Sequence, residues 1–133
     1  DQLTYTDTLL SGNLTRMYPV AAVAISRGQV VNLYNDAGVL KARLAVATGA
    51  STMAHGIANE TVSAGAQFEM NFLRGTIESV GGMTLGTLYY LSTSAGSIQS
   101  ARPSVAGQII QPVGLALGAA TLAMDIPLYY QQL

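Results

Sequence analysis

Residues 29–43 read QVVNLYNDAGVLKAR, in which two apolar, β-branched runs flank the polar tetrapeptide Asn35–Gly38. This arrangement predicts a β-hairpin, because Asn, Asp and Gly adopt the backbone angles of a tight turn at little steric cost. The tetrapeptide Thr93–Gly96 (TSAG) predicts a second hairpin of the same kind. Turn formation also accounts for Asp36, whose side chain can bond to its own backbone.

The sequence on either side of these hairpins continues the β pattern. Phe68, Met70 and Phe72 alternate with more polar residues, whereas no window shows the three-to-four-residue apolar spacing of an amphipathic helix. Short apolar runs recur every 8 to 12 residues between turn signals, which predicts an all-β fold. The predicted strands are Val20–Ile25, Gln29–Tyr34, Val39–Arg43, Met53–Ala58, Gln67–Leu73, Thr76–Val80, Thr87–Leu91, Ser97–Ala101, Ile109–Leu117, Ala120–Met124 and Pro127–Tyr130.

An internal repeat relates the two halves of the chain. Gly28 and Gly86 are 58 residues apart, and further matches follow at the same offset, including Gly56 with Gly114 and Phe72 with Tyr130. We therefore predict two similar strand–hairpin–strand repeats, at about 26–72 and 84–130, within a single domain over 19–133. A small closed or nearly closed β-barrel is the expected result, because closure removes exposed sheet edges.

Residues 1–18 lie outside this repeat and alternate Thr and Asp with Leu and Tyr. One interpretation is a solvated terminus. We favour an extended N-terminal arm that adds to another subunit or to a lattice, because a solvated tail rarely carries this much Leu and Tyr.

The composition argues against several classes of function. Only 10% of the 133 residues are charged, the net charge is −1, and there is no Cys and a single His. A nucleic-acid-binding face needs clustered basic residues, but the six here are scattered: Arg16, Arg27, Lys41, Arg43, Arg74 and Arg102. The longest stretch of low polarity, Val113–Met124, is too short to span a membrane.

No residue pattern predicts catalysis or a cofactor. His55 has no second His nearby, so we interpret it as structural, and the acidic residues are widely spaced. We therefore predict no catalytic residues, no metal ligands, no cofactor and no small-molecule substrate. A small hydrolase is the third hypothesis, after the two structural and binding roles given below.

The second half of the chain resembles a known family. Met83–Gly96 is similar to a hairpin of the form Gly-x-x-hydrophobic-Tyr-Leu-x-x-x-x-Gly, and Gln111–Leu117 looks like the Gln-x-Val-Gly-hydrophobic-Ala strand that usually follows it. Both segments resemble sequence motifs of small virion proteins from tailed bacteriophages, above all those of the capsid decoration (cement) type. The likeness extends over about residues 20–126.

The resemblance implies a compact β-barrel or β-tulip module, commonly a homotrimer, on the outer surface of the capsid. Such a protein bridges neighbouring major capsid proteins. The alternative is a head-fibre or tail-fibre module that binds a host surface receptor or polysaccharide. The residues that we predict to contact the capsid or another subunit are Leu3, Tyr5, Leu9, Leu10, Arg16, Tyr18, Tyr129 and Tyr130.

Overall fold

The chain is all-β. The computed structural model describes residues 15–133, which contain short strands and one turn of 3-10 helix, Ala50–Thr52. The strands are β1 (Arg16–Met17), β2 (Val20–Ala21), β3 (Val30–Asp36), β4 (Val39–Leu44), β5 (Gly56–Ala58), β6 (Met70–Phe72), β7 (Arg74–Ile77), β8 (Leu88–Leu91), β9 (Ile98–Gln99), β10 (Ile109–Ile110), β11 (Pro112–Ala116), β12 (Leu122–Asp125) and β13 (Gln131–Gln132).

Two sheets contain most of these strands. The first has the order β1-β6-β5-β3-β4-β2 and is antiparallel except for the pairing of β2 with β4. The second has the order β7-β12-β11-β8-β9 and is antiparallel throughout. A separate two-stranded ladder joins β10 to β13. If β2 is left aside, each sheet contains five strands. When these are numbered one to five along the chain within each sheet, both sheets have the spatial order 1-5-4-2-3.

The predicted hairpin over residues 29–43 is confirmed. Strands β3 and β4 pair from Val31↔Leu44 to Asp36↔Val39. Ala37 and Gly38 have φ values of 52° and 87°, the left-handed conformation that a two-residue hairpin turn requires at both central positions. The Gly38 N–H donates to Asn35 Oδ1 at 2.8 Å, so the turn residues satisfy their own polar groups.

The core lies in two clusters. One lies between the two sheets and includes Val30 and Ile57 of the first sheet with Leu91 and Leu122 of the second. The other packs under the opposite face of the first sheet, where Ile25 and Phe68 cover Val31, Met70 and other strand residues. The first sheet is therefore covered on both faces, whereas the second is covered on one.

Several predicted strands are shorter in the structure, and two depart from it most. Residues 127–130 form no strand; β13 begins one residue later and pairs with β10. The predicted match of Phe72 with Tyr130 fails with it, because Phe72 is buried in β6 whereas Tyr130 is 37% exposed in a connection. The predicted strand over 20–25 shrinks to Val20–Ala21, since the chain then leaves the sheet to cover its face.

The N-terminal arm is only partly described. Residues 1–14, including Leu3, Tyr5, Leu9 and Leu10, lie outside the described residues. Residues 15–18 join the first sheet, since β1 pairs with β6 through Arg16↔Asn71 and Met17↔Met70. Met17 belongs to the second core cluster, so this part of the predicted arm contributes to the domain itself.

Candidate functional site

The four predicted contact residues that the structure describes lie in two segments. Arg16 and Tyr18 flank Met17 on and after β1, and both contact the carboxylate of Glu69. The Arg16–Glu69 ion pair measures 3.5 Å, and the Tyr18 hydroxyl donates to Glu69 Oε2 at 3.2 Å. Tyr129 and Tyr130 lie between β12 and β13, where Tyr129 is 75% exposed.

An apolar groove brings these two segments together. Its volume is about 330 Å³, within the range of sites that hold a small apolar ligand or side chains. Met17, between Arg16 and Tyr18, lines it from one segment, and Leu128, beside Tyr129, lines it from the other. The full lining is Met17, Leu33, Leu40, His55, Phe72 and Leu128, which we call the apolar groove.

The sheet register places the groove. Pairing of β1 with β6 sets Met17 opposite Met70, two residues before Phe72 on the same strand, and Leu33 packs against the same core cluster from β3. Leu40 lies on β4 and is 45% exposed, while Leu128 is 57% exposed. The groove thus has a buried floor formed by the first sheet and an exposed rim formed by two leucines.

His55 is the polar member of the groove lining. Its main chain extends the β3–β5 pairing, with the His55 N–H donating to Val31 O at 2.9 Å. Its Nδ1 accepts a hydrogen bond from the Leu33 N–H at 2.8 Å, so the neutral ring carries its proton on Nε2. Burial lowers the pKa of His55, because removal from water disfavours the charged ring.

This environment predicts a pH dependence of stability. Because the pKa of His55 is lower in the folded chain than in the unfolded chain, its contribution is complete above about pH 6.5 and is lost as the pH falls through the folded value. His55→Asn keeps an acceptor near Nδ1 but does not titrate. We expect the wild-type free energy of unfolding to fall more between pH 7.5 and pH 5 than that of the variant, as measured by urea denaturation. Parallel curves for the two proteins would contradict the assignment.

The charged side chains on the two strands beside Leu33 and Leu40 have partners outside the groove. Lys41, next to Leu40, forms a 2.7 Å ion pair with Asp36, and that hydrogen bond raises the lysine pKa. Arg43 stacks over the Tyr34 ring at 4.1 Å and donates to Asn32 Oδ1 at 2.9 Å. The groove lining itself has no fixed charge, so the site suits apolar side chains rather than an ionic ligand.

Within residues 15–133, no group of three or more His, Cys, Asp or Glu residues is placed to hold a metal ion. In that part of the chain no helix has the length and apolar character needed to cross a membrane.

The sequence matches no protein-family model and no curated protein.

Proposed function

We propose that this chain is a structural virion protein that decorates and cements a phage capsid by bridging neighbouring major capsid proteins on the outer surface. The role is one of contact, without catalysis or a cofactor. The observation that carries the proposal is that apolar contact surface remains uncovered on two sides of the folded chain, at the groove and on the second sheet. The sequence resemblance supplies the identity of the partner.

The outer face of the second sheet is the second of these surfaces. Leu88 and Leu115 are cross-strand partners on it and are each 42% exposed. Ala123 pairs beside Leu115, and Thr76 pairs beside Ala123, so the row continues without a charge. Exposed apolar patches of this kind mark protein-contact sites, because water contact with them is unfavourable.

We infer further that the two sheets are copies of one unit. Their shared strand order supports this inference, and so do equivalent hydrogen bonds. Gly28 N–H donates to Ala58 O at 2.9 Å, and Gly86 N–H, 58 residues on, donates to Ala116 O at 2.8 Å. The 58-residue offset no longer relates equivalent strand positions after Ala116, because the connection 117–121 is shorter than the equivalent connection 59–69.

A barrel-like closure is part of the same proposal. Backbone hydrogen bonds tie the end of the first sheet to the second. Gly96 N–H donates to Ala45 O at 2.7 Å, and Ala47 N–H donates to Ser92 O at 2.8 Å. The core cluster between the sheets draws on both of them, as a shared barrel interior would.

Internal packing supports self-association. At the 58-residue offset, Val30 and Ile57 of the first sheet correspond to Leu88 and Leu115 of the second. Val30 and Ile57 are buried between the two sheets. The second sheet covers the face of the first sheet that contains Val30 and Ile57. The equivalent face of the second sheet, which contains Leu88 and Leu115, is uncovered. A second copy of the chain can cover it head to tail, and such an interface closes into a ring when the rotation allows.

The sequence resemblance implies a homotrimer, and a head-to-tail contact between copies is compatible with one, so three copies are the expected state in solution. We expect light scattering at micromolar concentration to give three times the chain mass. Leu115→Glu should shift the protein towards the monomer, since it places a charge in the apolar interface. Val105→Glu is the matched control, because Val105 is 60% exposed and lies outside both apolar surfaces. A monomeric wild-type protein would count against this proposal.

Binding to undecorated phage heads tests the capsid role directly. The full chain should bind saturably and appear by electron cryomicroscopy on the outer capsid surface.

Deleting residues 1–12, which include Leu3, Tyr5, Leu9 and Leu10, should weaken binding tenfold or more with an unchanged circular dichroism spectrum. If the deletion binds as tightly, the arm is not the main attachment element. Binding to host cells but not to heads would instead favour the receptor-binding module.

A further inference from the structure

We propose that in the free chain the apolar groove is filled by the N-terminal segment of the same chain, with Leu9 or Leu10 packed into it. Residues 15–133 leave the groove open, and the segment before them covers it. The arm and the groove, to which the proposed function assigns capsid contact, then cover each other until a partner separates them. This last part rests on the proposed function, whereas the internal contact does not.

The strand register leads the chain to its own groove. Thr15 is the first described residue, and its carbonyl oxygen accepts from the Phe72 N–H at 2.8 Å. Because β1 and β6 are antiparallel, the residues before Thr15 run towards Leu73 and the positions that follow it. The Leu73 N–H donates to the carbonyl oxygen of His55 at 2.9 Å, and His55 lines the groove. The chain therefore reaches the groove as it continues upstream of Thr15.

The strand that the arm follows ends at the groove. β6 ends at Phe72, which lines the groove, and Leu73 has a φ of 66°, so the chain turns there into β7 of the second sheet. Residues before Thr15 therefore have no part of β6 left to pair with. The Ile126 N–H donates to Leu73 O at 2.8 Å, and Leu128, two residues on, forms the exposed rim. The surface next to the arm at this point is the groove.

The residues just before Thr15 match the groove chemically. The groove lining is four aliphatic or sulfur-bearing side chains, one phenyl ring and one neutral imidazole. Residues 8–14 contain three leucines and no charged residue. The leucines are Leu9, Leu10 and Leu14. Their transfer from water into the groove is favourable, and it also removes the exposed surface of Leu40 and Leu128 from water.

The short connection to Thr15 favours the chain's own groove over that of a second copy. Leu10 is five residues before Thr15, which is at most about 18 Å of extended chain. Ser11, Gly12 and Asn13 are residue types that form tight turns, so Leu10 can fold back onto the groove. A tether this short gives an effective concentration in the millimolar range, above that of a second chain in micromolar solution.

Disulfide trapping within one chain tests the contact, and the two introduced thiols are the only ones because the chain has no Cys. Leu128→Cys is combined with Leu9→Cys in one full-length chain and with Leu10→Cys in another, since neighbouring residues of a strand point to opposite sides. After mild oxidation we expect at least one pair to form an internal disulfide, seen as a faster monomer band on a non-reducing gel. Its yield should not change on dilution.

The controls place the arm. Val105→Cys combined with the same arm position should give at least tenfold less internal product, because Val105 is exposed but lies outside the groove lining. Leu40→Glu, at the other rim leucine, should lower the yield of the Leu128→Cys pairs about tenfold, since it places a charge in the groove. Linkage only between chains, or a yield no higher than with Val105→Cys, would overturn the proposal.

His55 gives a second measurement, because it is the only histidine in the chain and its ring signals in an NMR spectrum are unambiguous. Its Nδ1 accepts from the Leu33 N–H, so its Nε2–H is left to donate to a main-chain carbonyl of the arm. Deleting residues 1–12 should shift the ring proton signals, since water replaces the leucine. Deleting residues 1–7 should leave them in place. Signals that match in all three proteins, or that shift equally in both deletions, would overturn the proposal.

The internal disulfide also tests whether the arm and the groove cover each other. The linked chain should bind undecorated phage heads at least tenfold more weakly than the same chain after reduction. The wild-type chain, given the same oxidant and reductant, should bind equally in both states. Equal binding of the linked and reduced chains would overturn the mutual covering and leave the internal contact standing. If neither form binds heads, the capsid role is lost, while the trapping result still supports the internal contact.

Discussion

Gly114→Ala is expected to lower the free energy of unfolding by about 3 kcal/mol or more, although it adds only one methyl group. Gly114 is buried on β11 opposite β12, and a Cβ there would overlap the carbonyl oxygen of Ala123. Because that oxygen belongs to a paired strand, relief requires the two backbones to separate. Gly56→Ala should cost a similar amount, since its Cβ would overlap the carbonyl oxygen of Asn71 on β6.

Gly49→Ala is the matched control for both substitutions. Gly49 is extended, and a Cβ added there meets no atom within 4 Å. Its change in stability should stay within about 0.5 kcal/mol. Thermal unfolding should show the two strand variants melting about 10 °C below wild type and the control close to it. Equal melting temperatures for all four proteins would show that the strands do not approach as closely as described.

Gln111→Leu is expected to cost about 3 kcal/mol, a loss that arises from unpaired groups rather than from volume. The Gln111 side chain is fully buried at the junction of β10 and β11. Its Oε1 accepts from the Ala54 N–H at 2.7 Å, while its Nε2 donates to Ala54 O at 3.0 Å and to Pro127 O at 3.2 Å. Leucine fills a similar volume there but leaves these buried main-chain groups without partners.

The comparison for Gln111 is Gln132→Leu, since Gln132 is exposed on β13. Urea denaturation should give a large loss for the first variant and a change within about 0.5 kcal/mol for the second. A Gln111→Leu protein as stable as wild type would mean that the neighbouring backbone finds other partners.

The hairpin over residues 29–43 is predictable from sequence because its determinants are local. The turn residues set the backbone angles, and the apolar runs on either side set the strands. The same local logic fails at the C-terminus. Residues 127–130 are as apolar as a typical strand. A strand also needs a neighbouring strand with free main-chain groups to pair with. Here the pairing begins only at β13, with Ile109–Ile110 of β10. Strand pairing at such separation leaves no mark on local composition.

The groove also cannot be predicted from the sequence, for a physical reason. Its lining comes from separate strands and a connection, and only the three-dimensional register brings them together. Composition selects Arg16, Tyr18, Tyr129 and Tyr130 as contact residues. They lie within two residues of Met17 or Leu128 in the chain but do not line the groove themselves, and their contact with a partner stays a prediction. Sequence reasoning interprets His55 as structural, and the ring does hold the Leu33 main chain. Its position in the groove depends on strand pairings that the sequence does not express.

The strand order of the two sheets has a consequence for biogenesis. In each sheet the strand made first pairs with the strand made last, as Arg16↔Asn71 and Arg74↔Asp125 show. A nascent chain can therefore complete the first sheet while the second is still being synthesised. Until the second sheet arrives, Val30 and Ile57 have nothing to cover them. Pairings this distant in sequence form slowly. The partly synthesised chain therefore exposes an apolar sheet face while it is still on the ribosome. A chaperone would have its largest effect on folding at this stage.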